Sequence, residues 1–537
     1  MRMMSMPRNT NTYCVIGPPG CGKTHSIAQS IGRNIPAYGE TGIIVCSLTK
    51  TAAREASGRV GLPHSQVGTL HHFARQAIGG GMDVAESHID EWNKEFPFLK
   101  VGSDSVNDDI DDVTYDMRTC QSDGDKTMSK MNLLRARCVS REAWPSDVRL
   151  FSKKWDEWKQ AMGYIDFADM IEIAANDTVQ APGAPRLIYL DEAQDSSIAE
   201  SRLLANWGKA VHKLVIVGDP LQSLYEWRGA TPEEFFPPDQ PAERKHVLAQ
   251  SYRVPDAVRQ AAIRWVSGMK GYQPEPYHPR KNESGDAVPG SVRNLDESLQ
   301  RPDEILNIIS KTTGTIMVLA SCGYMLSPII SALREAGIPF HNQYRRKNGA
   351  WNPLHGRGVT GRDRLLSFVD PPFGQWSMRD VKNWASVLAS EGVINRGCKK
   401  EIQQADDNIP YSEISGGLID QWFTPDAIVK IVNMDARWWF NHLDKSKKRG
   451  VEFPLHILEK SGVQALSEQP RVTVGTIHSV KGGEADTVIL SPDLSRAGYE
   501  EYDMRLPGVW RLFYVGMTRA RENLILLSAS GKMAVEW

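Results

Sequence analysis

At 537 residues the chain exceeds what one hydrophobic core fills, and 41% hydrophobic with 24% charged side chains excludes a disordered or collagen-like polymer. Its 63 basic and 65 acidic residues leave a net charge of −2, so there is no global basic field and any phosphate-binding surface must be local. The seven cysteines never form a CxxC pair, MRMMSMPRNT lacks the apolar stretch of a secretory signal, and no apolar run reaches the roughly 18 residues that span a bilayer; together these point to a reducing cytosol and no membrane partner.

Short apolar runs bounded by glycine or polar turns recur along the chain: YCVIG and GIIVCS first, RLIYL and KLVIVG in the middle, then TIMVLA, TVILS and LILLS. Such runs, alternating with helical patterns, predict buried parallel strands in two α/β sheets. Residues 82–165 and 345–468 break this rhythm and read as mainly helical insertions, with Trp-rich pieces such as KKWDEWKQ and DARWWFNHL. The Asp104, Asp108, Asp109, Asp111 and Asp112 run reads as a solvated loop, and Lys445, Lys447, Lys448 and Arg449 read as a solvated helix end.

The stretch GPPGCGKT, Gly17, Pro18, Pro19, Gly20, Cys21, Gly22, Lys23 and Thr24, lies between the strand YCVI and the helical HSIAQSIGR, which opens with His25. In that setting a G-x-x-x-x-G-K-[ST] run predicts a phosphate loop: backbone N–H groups close on phosphates at a helix N-terminus, Lys23 reaches the β and γ phosphates, and the Thr24 hydroxyl holds Mg²⁺. RLIYL ends in Asp191 and Glu192. A carboxylate at the end of a buried strand needs a cation, which assigns Asp191 to the Mg²⁺ of bound ATP and leaves Glu192 to take the proton of the attacking water.

The order GPPGCGKT, LDEAQD, GDPLQSLYEWRGA, QSYR, GTIHSVKGGEAD and YVGMTRA resembles the superfamily 1A helicases typified by UvrD, Rep and PcrA. The resemblance implies two RecA-like lobes with ATP between them, residues 1–81 with 166–262 and residues 263–344 with 469–537. It implies that Gln222 senses the γ phosphate from the first lobe while Arg253 and Arg519 reach it from the second, that Tyr252 stacks on adenine, and that Glu484 contacts sugar or phosphates. Trp227 is implied as a platform for one base of single-stranded DNA, with Thr49, Thr69, His71, Arg228, Thr476, His478 and Lys481 as further DNA contacts. The function implied is ATP-driven 3′ to 5′ translocation on single-stranded DNA, unwinding tailed duplexes in a bacterial or phage-infected cell. The alternatives are a 5′ to 3′ or RNA-directed helicase, and an ATP-gated clamp that unwinds little.

Three departures stand out. No glutamine precedes Gln29, where relatives read adenine with an upstream glutamine, leaving Asn9 and Asn11 as the polar candidates; Leu48 and Leu70 stand where relatives often carry aromatics; and the phosphate-loop sequence is closer to the branch of superfamily 1 that travels the opposite way, against which YEWRGA and HSVKGGE weigh.

Overall fold

The computed structural model of the chain describes residues 11–47, 61–102 and 122–537, apart from Pro238, Lys347 and Arg357. The Asp104–Asp112 run lies outside them. Up to residue 247 the strands are β1 (Thr12–Ile16), β2 (Ile43–Ser47), β3 (Val67–Thr69), β4 (Asp83–Val84), β5 (Tyr164–Ile165), β6 (Leu187–Leu190), β7 (Lys213–Gly218) and β8 (Lys245–Val247). Six of them form one wholly parallel sheet in the order β3-β2-β6-β7-β1-β8. The apolar runs of β2 and β6 are buried at every position, as expected of strands covered on both faces. The phosphate loop, the Asp191 turn and the segment from Asp219 all leave the C-terminal ends of three adjacent central strands, where an α/β sheet opens its crevice.

The second sheet is built from β9 (Ser291–Leu295), β10 (Ile316–Ala320), β11 (Phe340–His341), β12 (Val472–Thr476), β13 (Ala485–Leu490) and β14 (Ala520–Leu527), again all parallel, in the order β11-β12-β10-β13-β14-β9. The chain is thus an α/β protein of two RecA-like lobes. The helix Asp256–Val266 runs across the expected division at 262, and its Val258, Ala262 and Trp265 share a core with Phe513 and Leu524. It therefore packs with the second sheet as a whole, while Leu248 and Tyr252 before it still donate to the Ile16 and Gly20 carbonyls of the first lobe, each at 2.8 Å.

The first insertion holds its own core, in which Trp92, Trp155 and Trp158 meet edge-on or tilted around Met128, Val148 and Phe151. Among its described residues the regular elements are helices apart from β4 and β5, which pair in parallel at its root. Buried Arg135 fastens it to the first lobe, donating to Asp166 at 2.8 Å, Asp169 at 2.6 Å and Glu172 at 2.9 Å. The second insertion is a helical body whose long helix Lys445–Ser467 shares a core with the second sheet; Lys445, Lys447, Lys448 and Arg449 lie in its first turns, mostly exposed. Among the described residues no helix is long and apolar enough to cross a membrane.

Candidate nucleotide and DNA site

The first helix, α1 (Lys23–Tyr38), is entered through Gly22, which sits at φ 75°. Gly20 also has φ 75°, and a Cβ there would stand 2.4 Å from Arg253 Cβ. Only glycine fits that backbone and that approach. Lys23 Nζ donates to the Gly17 carbonyl at 3.2 Å and stands 3.9 Å from Glu192, so the ammonium lies folded over the loop.

Thr24 Oγ1 donates to Asp191 at 3.2 Å. Burial, reinforced by neighbouring Glu192, pushes the Asp191 carboxyl up to about 6. For Glu192 burial pulls the same way, but the cations of Lys23 and Lys481 hold it below its ordinary range. The two adjacent acids are therefore set apart in proton affinity, Glu192 losing its proton more readily than Asp191. Glu192 also occupies the left-handed region at φ 55°, where a side chain is strained and persists only when its surroundings hold it.

The lobes meet over this turn. Arg519, 1% exposed, donates to the Gln222 side-chain oxygen at 3.1 Å and to the carbonyls of Val515 and Gly483. Burial, then repulsion from Arg253, pushes its guanidinium down to about 9. Arg253 lies beside the phosphate loop and donates to Glu484 at 2.6 Å, and Glu484 also pairs with Arg521 at 3.4 Å. Tyr252 is 72% exposed, its N–H donating to the Gly20 carbonyl at 2.8 Å and its ring flanking Gly22 together with His25.

From Gln222 onward one short segment is gripped on several sides. Lys481 donates to the Gln222 carbonyl at 3.1 Å. Arg511 of the second lobe pairs with Glu226, and with Glu233 at 2.7 Å. Arg137 of the first insertion donates to the Glu226 carbonyl at 3.2 Å. Trp227, half-buried, packs against the core that joins Leu224 and Tyr225 to Ile477 and Val480 of the second lobe, with the Arg228 guanidinium 5.8 Å from its ring centre.

Comparison with known proteins agrees with this geometry. Residues 4–241 match the UvrD/REP helicase N-terminal domain and residues 471–527 the UvrD-like helicase C-terminal domain. The chain belongs to the UvrD/Rep helicase family. It is 21% identical to the ATP-dependent DNA helicase PcrA of Leuconostoc citreum, over 97% of this chain and 80% of that protein. It is 22% identical to UvrD2 of Mycobacterium bovis over 96% and 76%, and 26% identical to Rep of Salmonella typhimurium over 47% and 40%.

The expected DNA contacts of this UvrD/Rep family member divide. Trp227 and Arg228 lie together at the lobe junction. Thr49 and Leu48 are outside the described residues, as is Asn9. Thr69 caps the helix Leu70–Ala77, accepting from His72 N–H at 3.2 Å, and Leu70 is a core residue. His71 is turned within its own lobe toward Glu200, at 3.9 Å, and the edge of Phe167. Thr476 is buried and accepts from Ser479 N–H, so it closes a turn. Burial, helped by Arg345 and Lys481, pushes His478 down to about 4, leaving it neutral near pH 7.

Lys481, implied as a DNA contact, has a side chain only 15% exposed. Its ammonium points inward, paired with Asp195, 4.0 Å from Glu192 and 5.2 Å from the ring centre of Tyr225. It bridges the lobes by reaching Asp195 and the Gln222 carbonyl, a direction that motif position alone does not give. Asn11, an adenine candidate, spends its amide on the carbonyls of Gly208 and Val211. Sequence reasoning assigned no role to Gln194, Asp195 or Asp219, which the structure buries beneath Glu192 and Gln222.

Proposed function

We propose that the chain is an ATP-driven motor on single-stranded DNA that moves 3′ to 5′ and unwinds duplexes bearing a single-stranded tail. The observation that carries this reading is the shared segment. Gln222, in contact with Arg519 of the opposite lobe, lies five residues before Trp227, so a change at the γ phosphate and a change at a stacked base act on one piece of backbone. A flat indole stacks on any base, which suits sequence-independent movement, at about 1–3 kcal/mol per base.

In the proposed chemistry Lys23 and the phosphate-loop N–H groups bind the phosphates, and Glu192 takes a proton from water as the water oxygen bonds to the γ phosphorus. The bond between that phosphorus and the bridging oxygen breaks, and ADP leaves. Arg519 and Arg253 face the charge on the equatorial oxygens. Thr24 and Asp191 offer a hydroxyl and a carboxylate, hard oxygen donors that fit a magnesium ion arriving with ATP and keeping phosphate and water as its other ligands. That ion, when bound, neutralises phosphate charge.

Duplexes with only a 3′ or only a 5′ single-stranded tail, in DNA and in RNA, test this reading by strand displacement with Mg·ATP. Displacement from the 3′-tailed DNA alone is expected. Displacement from the 5′-tailed substrate, or from RNA alone, overturns polarity or substrate. ATP turnover with the duplex intact overturns the motor and favours an ATP-gated clamp.

A further inference from the structure

We infer that Gln194 is a positioning residue for hydrolysis: its amide ties the Glu192 carboxylate to the end of β7, fixing where the proton-accepting oxygen stands. This rests on the reading of Glu192 as general base. Gln194 is fully buried. Its side-chain oxygen accepts from Asp219 N–H at 3.0 Å, and its amide nitrogen donates to Glu192 Oε2 and, at 3.4 Å, approaches Asp195. The amide orientation follows from chemistry, because a backbone N–H only donates: the oxygen must face Asp219, and the NH₂ is left for the two carboxylates.

The site is built around this amide. A Cβ on Gly218, the last residue of β7, would stand 2.2 Å from the Gln194 oxygen, so the absence of a side chain there makes the room. Asp219 in turn accepts from the Gln222 amide at 2.8 Å, and Gln222 accepts from Arg519 at 3.1 Å. A run of hydrogen bonds thus leads from the Glu192 carboxylate through Gln194, Asp219 and Gln222 to the guanidinium of the second lobe. Each member faces its neighbour with a fixed donor or acceptor, so arrival of Arg519 at Gln222 and placement of Glu192 are parts of one arrangement. Glu192 stands at φ 55°, and the Gln194 amide is one of the groups that keep it there.

The test is single-turnover and steady-state ATPase on the full chain with single-stranded DNA, comparing wild type, Gln194→Met, Gln194→Glu, Glu192→Gln and the double variant Glu192→Gln/Gln194→Met. Met keeps the length and loses the hydrogen bonds to Asp219, Glu192 and Asp195. Glu keeps the acceptor toward Asp219 and turns an oxygen toward Glu192 in place of a donor, so it remains informative if the Met variant fails to fold. Expected is a fall of about tenfold to a hundredfold in kcat for both Gln194 variants, with KM for ATP, ADP affinity and DNA affinity within about twofold of wild type. In the Glu192→Gln background Gln194→Met should cost less than about twofold more. Wild-type kcat in both Gln194 variants overturns the inference, as does a full additive loss in the double variant or a matching loss of ADP affinity. A wild-type rate in Glu192→Gln overturns the general-base reading instead, and is told apart by that single variant.

Discussion

Removing the Lys481 ammonium should open the junction between the lobes. Lys481 is the second lobe's cation against Asp195, whose side chain is 1% exposed, while that of Lys481 is 15% exposed. In Lys481→Met the carboxylate keeps only the Leu224 N–H at 3.2 Å and the Gln194 amide at 3.4 Å. Taking one partner from a buried pair costs about 3–5 kcal/mol. Here the cost falls on the arrangement that brings the lobes together, so the constant for closing drops by about 10²- to 10⁴-fold. The Asp195 carboxyl, which burial already pushes up to about 6 against the pull of Lys481, takes a proton more readily once the ammonium is gone. The defect should therefore be smaller at pH 6 than at pH 8. DNA-stimulated ATPase at low ATP, with the affinity for a non-hydrolysable ATP analogue, reads the loss. Asp195→Asn in the same background should recover most of it by removing the stranded charge. If Asp195→Asn instead deepens the loss by its own full single-variant effect, the two groups are not a pair and the reasoning fails.

Trp227→Ala should weaken single-stranded DNA binding by about tenfold to a hundredfold, read by fluorescence anisotropy, with ATP-analogue affinity retained. Arg519→Ala should lower the ATPase rate by about 10³- to 10⁵-fold while nucleotide still binds, read in single-turnover assays. Burial, helped by His355 and Arg346, pushes His341 down to about 4 from 6.5, so the unfolded chain binds more protons between those values. The stability this contributes is present above pH 6.5 and lost as the pH falls through about 4, some 3 kcal/mol in all at about 1.4 kcal/mol per tenfold change in proton affinity. His341→Gln should flatten that part of the urea-stability profile.

The central strands were legible because they are buried on both faces, so β2, β6, β7 and β10 read as unbroken apolar runs. The edges were not. β9, SVRNL, is largely exposed, and β3, β8 and β11 are two or three residues long, too short to set a pattern. The phosphate loop and the acidic turn could be read because spacing along the chain dictates their chemistry: the glycines, Lys23 and Thr24 act through adjacent backbone. Residues that act across the lobe junction gave no such signal. Lys481 faces Asp195 because of how two sheets meet, 286 positions apart, and Gln194 looks like any polar residue in an acidic turn until Gly218 is seen making room for it. The helix Asp256–Val266 was divided for a related reason: its apolar face matches a core contributed from beyond residue 500.

The central claim is that nucleotide state at Gln222 and Arg519 changes the grip of Trp227 on a base. Single-stranded DNA affinity measured with ADP and with a non-hydrolysable ATP analogue, for wild type and Trp227→Ala, tests it most directly. The wild-type affinities should differ by about tenfold or more between the two nucleotides, and the difference should disappear in the variant. An undiminished difference in Trp227→Ala would contradict it.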